Sequence, residues 1–148
     1  MKISIFSDGS CSGNPGPGGW GTILKYEDGT EHEISGAEKQ TTNNRMELIA
    51  VIEGLKKTNL NDEINITTDS KYVKDGISDW IHNWVKNNWT TAAKKPVKNQ
   101  DLWKELYNLT LNRKIKWFWV RGHTGHPENE RCDVLAKKCI FDLVNSGH

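Results

Sequence analysis

Three strand-like segments follow one another before any helix, and helices and short strands alternate after them. Residues 2–8 alternate as a strand, and residues 20–27 and 31–36 read as two more around the turn Glu27-Asp28-Gly29-Thr30. Between the first two lies Cys11 to Gly19, a glycine- and proline-rich turn. A helix is predicted from about Asn43 to Lys57, with Thr42 or Asn43 as its cap. Residues 64–68 form a short strand, and Ser70 caps a helix running to about Asp75, before Gly76. A second short helix covers about Ile77–Lys86, and Asn87 to Asn99 is irregular. Residues 101–111 form a helix with Leu102, Leu106 and Leu109 on one face, and Ile115–Val120 is a strand. The last helix, about Glu128 to Val144, repeats Cys132, Leu135, Ala136, Cys139, Ile140 and Leu143 every three or four residues. This order, β-β-β-α-β-α-α-α-β-α, predicts an α/β fold: a mixed sheet with helices on its faces.

Four carboxylates occupy positions that such a core does not favour. Asp8 ends the first strand-like run and Asp69 ends the run Ile64–Thr68. Glu47 interrupts an apolar helical stretch from Met46 to Ile52, where no cap calls for an acid. Asp133 sits in the first turns of the last helix, one step from its apolar face. Burying an unpaired carboxylate costs several kcal/mol or forces it to take a proton. Taken singly, each acid reads as a cap or a solvated end residue. Taken together, and brought to one place, they suggest an oxygen-ligand site of the kind Mg²⁺ or Mn²⁺ prefers. In open α/β sheets ligands bind at the carboxyl ends of parallel strands, near a switch in strand order. If the strands before Asp8 and Asp69 are parallel neighbours, the two carboxylates are adjacent.

Composition narrows the remaining classes. A chain of 148 residues reads as one domain, 1–148, and needs no disulfide staple. Its three cysteines form no CxxC pair, which suits a reducing cytosol. Neither a signal-peptide pattern nor an apolar run of membrane-spanning length is present, so a cytoplasmic protein without membrane contact is expected. The formal net charge is +1, so any polyanion must be held by a local patch. His123, His126, Cys132 and Cys139 could be written as a zinc set, but the two cysteines lie two turns apart along the apolar stripe, which is core packing. The Gly13–Gly19 segment lacks the Lys-Ser/Thr of a P-loop and precedes a strand.

The motifs around the acids form an ordered set. Asp8-Gly9-Ser10-Cys11 with Gly13-Asn14-Pro15-Gly16-Pro17-Gly18-Gly19 resembles the opening of bacterial ribonuclease HI. Thr41-Thr42-Asn43-Asn44-Arg45-Met46-Glu47-Leu48 and Thr68-Asp69-Ser70-Lys71-Tyr72-Val73 resemble that family too. So do Trp80-Ile81-His82-Asn83-Trp84, the run Lys95 to Trp103, and Gly122-His123-Thr124-Gly125-His126-Pro127-Glu128-Asn129-Glu130-Arg131-Cys132-Asp133. The match extends from about Ile3 to Ala136 in the family's order.

The resemblance implies a ribonuclease H-like, five-stranded mixed sheet flanked by helices. It implies a monomeric endoribonuclease that cuts the RNA strand of RNA–DNA hybrids, leaving 5′-phosphate and 3′-hydroxyl ends. It assigns Asp8, Glu47, Asp69 and Asp133 as ligands of two Mg²⁺ ions, with Mn²⁺ a possible substitute. His123, in a glycine-flanked loop, becomes an auxiliary proton carrier or an aid to product release; without the resemblance it is a surface histidine. Cys11 and Asn14 face RNA 2′-hydroxyls, by which a protein tells RNA from DNA. Thr42 and Asn43 offer donors for a DNA phosphate, and Asn44 reaches the minor groove.

Residues 80–100 supply a basic, tryptophan-rich protrusion. Lys86, Lys94, Lys95 and Lys98 suit phosphates, and Trp80 and Trp84, with Trp89, offer flat rings to sugars and bases. The alternative is that the tryptophans pack a small subdomain and the lysines are solvated. The chain departs from the family in two ways. Val85, Asn87, Asn88 and Thr90 dilute the protrusion's charge, and Lys71 stands where the family commonly has Gln. Lys71 then either exchanges an amide contact for a charged contact to the hybrid or neutralises nearby acids. Two other classes compete: a DNA-cutting nuclease on the same scaffold, and a non-catalytic hybrid-binding module. The 2′-hydroxyl contacts argue against the first, and the four intact acids against the second.

Overall fold

A computed structural model describes residues 1–121 and 126–146. Strands β1 (Lys2–Cys11), β2 (Gly16–Tyr26) and β3 (Glu31–Thr41) precede helix α1 (Asn43–Lys56). Strand β4 (Glu63–Thr68) leads into α2 (Lys71–Asp75), a π-helical turn (Gly76–Trp80) and α3 (Ile81–Lys86). Helix α4 (Gln100–Thr110), strand β5 (Lys114–Trp119) and helix α5 (Pro127–Ser146) complete the chain. The sheet has five strands in the order β3-β2-β1-β4-β5. The β1–β2 and β2–β3 pairs are antiparallel, and β1–β4 and β4–β5 are parallel. The mixed sheet expected from the element order is therefore present, and strand direction switches at β1.

Four boundaries differ from the sequence reading. The glycine- and proline-rich segment is strand from Gly16 onward, with Gly18 opposite Cys11 and Gly16 opposite Thr41. Consequently Asp8 does not end its strand; it lies inside β1, opposite Gly21. What ends there is the parallel ladder, whose last pair is Ser7 and Thr68. Strand β3 likewise runs to Thr41 instead of stopping near residue 36. Gly76 does not stop the helix that Ser70 starts. It keeps right-handed helical angles (φ −63°, ψ −47°), and the Trp103 indole occupies the place a side chain would take.

The core explains how acids can be held in this frame. Ile3 and Ile5 of β1, Leu24 of β2, and Ile64 and Ile66 of β4 are buried with Leu48, Val51, Ile52 and Leu55 of α1. Each such side chain contributes roughly 1.5–3 kcal/mol on burial, so α1 can carry one costly acid at position 47. Trp103 and Leu106 of α4 close this layer, the Trp103 indole donating to the Tyr72 hydroxyl at 2.9 Å. Helix α5 lies on the opposite face. A methyl group at Gly19 would strike the carbonyl of Ala136, and one at Gly21 would fall 2.5 Å from that of Cys132. Glycine at these two same-face positions lets the α5 backbone rest directly on β2. Asn65, Lys114, Lys116 and Phe118 are exposed. No helix among the described residues is long and apolar enough to cross a membrane.

Candidate active site

Parallel pairing of β1 with β4 puts Asp8 beside Asp69, which directly follows the last residue of β4. Helix α1 starts where Thr42 caps it, the Thr42 hydroxyl accepting from the Arg45 N–H at 3.2 Å. One turn on, Glu47 points back at the sheet. Its helix reaches β1 because residue 9 is glycine: a methyl there would collide with the backbone of Met46 and Glu47. The Gly9 N–H also donates to the Glu47 carboxylate. Oxygens from Asp8, Glu47 and Asp69 all lie within 4.8 Å of one another. Two ligands on opposite sides of one Mg²⁺ are ~4.1 Å apart, so these oxygens are near the span of a single ion's shell.

Asp133 approaches from α5. Its carboxyl lies close enough to Asp8 for a side-chain hydrogen bond, while its Oδ2 accepts from Lys137 Nζ at 2.9 Å. It belongs to the acid cluster at its rim, 22% exposed, and the close approach of α5 to Gly19 and Gly21 brings it there.

The electrostatics are those of an anion cage short of positive charge. Asp8 and Glu47 are 3% and 5% exposed. Burial pushes the Asp8 carboxyl up from 3.8 to about 8, and the Asp69 charge and neighbouring Asp133 add to the effect. Burial, then the charges of Asp8 and Asp69, hold the Glu47 carboxyl well above its usual 4.5. Glu47 Oε2 is buried without a hydrogen-bond partner among the described residues. An all-carboxylate donor set with an orphaned buried oxygen fits a hard divalent cation and no softer metal. Cys132 is buried, its Sγ 3.3 Å from the Phe6 carbonyl, and burial raises its thiol pKa. Core packing, not zinc ligation, is its role.

The remaining predicted residues divide by position. The Cys11 thiol donates to the Gly13 carbonyl at 2.7 Å, and Asn14 Oδ1 accepts from the Asn43 N–H at 3.2 Å. Cys11, Asn14, Thr42, Asn43 and Asn44 therefore gather around the start of α1. Lys71 is exposed in the first turn of α2, which Ser70 caps by accepting from the Val73 N–H at 3.1 Å. Trp84 packs between Trp80, Trp89 and Trp103, with ring centroids 5.9, 6.5 and 5.3 Å away. Trp80 stays 37% exposed, and Lys86, Lys94, Lys95 and Lys98 are all exposed. Packing and an outward face thus coexist in the protrusion. A 240 Å³ recess lined by Trp80, Asn83, Trp84, Asn87, Thr90, Thr91 and Ala92 opens there. A larger, 400 Å³ cavity adjoins Lys2, Glu63, Arg113 and Lys114, at the end of the parallel strands opposite the acids. It has no part in this site. His123 lies outside the described residues.

Three contributors were missed in the sequence. Gly9 admits α1, and its signal was only its place beside Asp8. Asn129 is buried on α5, its Nδ2 donating to the carbonyls of Ser7 (3.4 Å) and Thr67 (3.5 Å), so it bridges β1 and β4 beneath the acids. Extending the Cys132–Ala136 stripe one turn back would have found it. Arg45 grips Asp101 through two bonds of 3.0 and 2.8 Å and so ties α1 to the base of the protrusion; that pairing joins residues far apart in sequence and leaves no local trace.

Residues 1–141 match the RNase H family model. The chain is 55% identical over 144 residues to the ribonuclease H of Hydrogenovibrio crunogenus, covering 97% of this chain and 99% of that one. It is 58% identical over 138 residues to the ribonuclease H of Rhodospirillum rubrum, covering 93% and 82%. Among solved structures, LC9-RNase H1, a type 1 RNase H with the type 2 active-site motif, superposes with a TM-score of 0.83. Identity there is 33%, covering 95% of this chain and 72% of that one.

Proposed function

The chain belongs to the ribonuclease H family, and from that premise we propose that it is an Mg²⁺-dependent endoribonuclease that hydrolyses the RNA strand of RNA–DNA hybrids. The observation that carries the reading is the convergence of Asp8, Glu47 and Asp69 oxygens within 4.8 Å, with Asp133 alongside. These four residues would hold two divalent ions. Bound ions of this kind lower the pKa of an attacking water and neutralise charge on the leaving 3′ oxygen. The products would be 5′-phosphate and 3′-hydroxyl ends.

The protein's own part is binding and placement. The Gly9 N–H and the α1 backbone fix the Glu47 carboxylate, and the pairing of β1 with β2 fixes Asp8. Cys11, Asn14 and the Thr42–Asn44 segment form a polar rim beside the acids, suited to sugar hydroxyls and phosphates. The Asn14–Asn43 bond holds the two halves of that rim together. Lysines 86, 94, 95 and 98 would meet phosphates, and Trp80 would offer a stacking face. The family resemblance gives His123 the role of an auxiliary proton carrier or an aid to product release.

The test uses end-labelled RNA–DNA hybrid, double-stranded DNA and double-stranded RNA, each with Mg²⁺ or chelator. Cleavage of the hybrid RNA strand alone, abolished by chelator, is the expected result. Cutting of double-stranded DNA would place the chain with DNA nucleases on this scaffold. Binding of hybrid without cleavage at any metal concentration would make it a binding module.

A further inference from the structure

We propose that Trp119 is a positioning residue for Asp69, acting through a hydrogen bond from its indole to the Asp69 main chain. The inference rests on the metal-site reading above. Glu47 is held by a helix and Asp8 lies within β1, paired with Gly21 of β2, whereas Asp69 lies on the link between β4 and α2. The backbone ladder between β4 and β5 ends with the Val120 N–H donating to the Thr68 carbonyl at 3.0 Å. The Ser70 N–H turns back to Thr68 Oγ1 at 3.1 Å. The Asp69 carbonyl accepts from Trp119 Nε1 at 3.2 Å. A side chain thereby continues the tie between β5 and this link one residue past the ladder.

The ring's surroundings favour such a role over a packing one. Trp119 is 37% exposed, while Trp117, two residues earlier, packs against the core. Lys74 Nζ lies 5.1 Å from the Trp119 ring centroid. Lys74 belongs to α2, the helix into which Asp69 leads. The indole thus contacts Asp69 and the helix it leads into: the Asp69 carbonyl along its edge and α2 across its face. Rotation of the peptide after Asp69 would swing the carboxylate out of a cluster whose oxygens lie within 4.8 Å. The Trp119 N–H opposes that rotation.

Trp119→Phe keeps an aromatic ring beneath Lys74 and removes the N–H together with part of the indole's volume. Mg²⁺ affinity of the substrate-free protein, by calorimetry, should fall about 3–10-fold, the loss of one hydrogen bond. At saturating Mg²⁺ the KM for hybrid should match wild type. In the wild type, the Trp119 indole proton should exchange slowly by NMR and shift on Mg²⁺ addition. Unchanged Mg²⁺ affinity in the variant would overturn the proposal, as would an effect confined to hybrid KM, which would make Trp119 a substrate contact. An indole proton that exchanges as fast as free indole would overturn it whether or not the variant folds. If the wild type itself binds no Mg²⁺, the metal-site reading fails, and the exchange measurement still decides on the hydrogen bond.

Discussion

Replacing Asp8 by asparagine should stabilise the metal-free protein while abolishing hybrid cleavage. The Asp8 carboxyl is 3% exposed and faces the carboxylates of Asp69, Glu47 and Asp133. Its pKa rises from 3.8 to about 8 on folding, so the fold favours the neutral acid over the anion. The penalty is absent below about pH 4, grows as pH rises towards about 8, and is constant above that. At pH 7 the span from 3.8 sets a ceiling of ~4 kcal/mol, at 1.36 kcal/mol per pKa unit. Glu47 shares the repulsion, and relief at one site lowers the cost at the other, so a gain of ~1–3 kcal/mol is expected. For a domain of 148 residues that raises Tm by ~3–10 °C. Thermal unfolding of both proteins in chelator, from pH 4 to 9, measures it. The two melting curves should coincide near pH 4 and diverge as pH rises. Mg²⁺ should then raise the wild-type Tm far more than the variant's and narrow the gap. An Asp8→Asn protein less stable than wild type at pH 7 in chelator would refute the repulsion argument and give Asp8 a structural role.

Gly9→Ala should lower stability by ~1–3 kcal/mol, because its methyl meets α1 backbone, and should cut turnover further by shifting Glu47; wild-type turnover in the variant would show the close approach to be dispensable. Neutralising Lys86, Lys94, Lys95 and Lys98 together should raise hybrid KM and flatten its salt dependence with kcat little changed. An unchanged salt slope would leave these lysines as solvated surface. His123→Ala should slow turnover by ~10²–10⁴-fold yet leave measurable cleavage; loss as complete as that of Asp8→Asn would make His123 indispensable.

Which parts of this molecule could be read from sequence follows from how local each signal is. Helix α1 was legible because Thr42 supplies a cap and Met46–Ile52 an apolar run, and Glu47 stood out against that run. The parallel placement of Asp8 beside Asp69 was legible only as a condition, since strand order is a property of the whole sheet. The glycine-rich segment was misread because glycine marks both turns and close approaches. Gly19 and Gly21 alternate on one face of β2, where the α5 backbone sits on them. That period of two was the available clue. Gly76 misled in the same way: the Trp103 ring, from a helix remote in sequence, occupies its missing side chain's place. Asn129 lay one turn back on the Cys132–Ala136 stripe, whereas the Arg45–Asp101 pair depends on a tertiary contact that no local pattern announces.

The most direct test of the metal-site account is anomalous diffraction from crystals of the wild-type protein soaked in Mn²⁺. Anomalous density bonded to oxygens of Asp8, Glu47 and Asp69 is the expected result, with Asp133 turned from Lys137 towards the site once hybrid and a second ion are bound. Mn²⁺ found elsewhere on the protein, with these four carboxylates left unligated at saturating concentration, would contradict it.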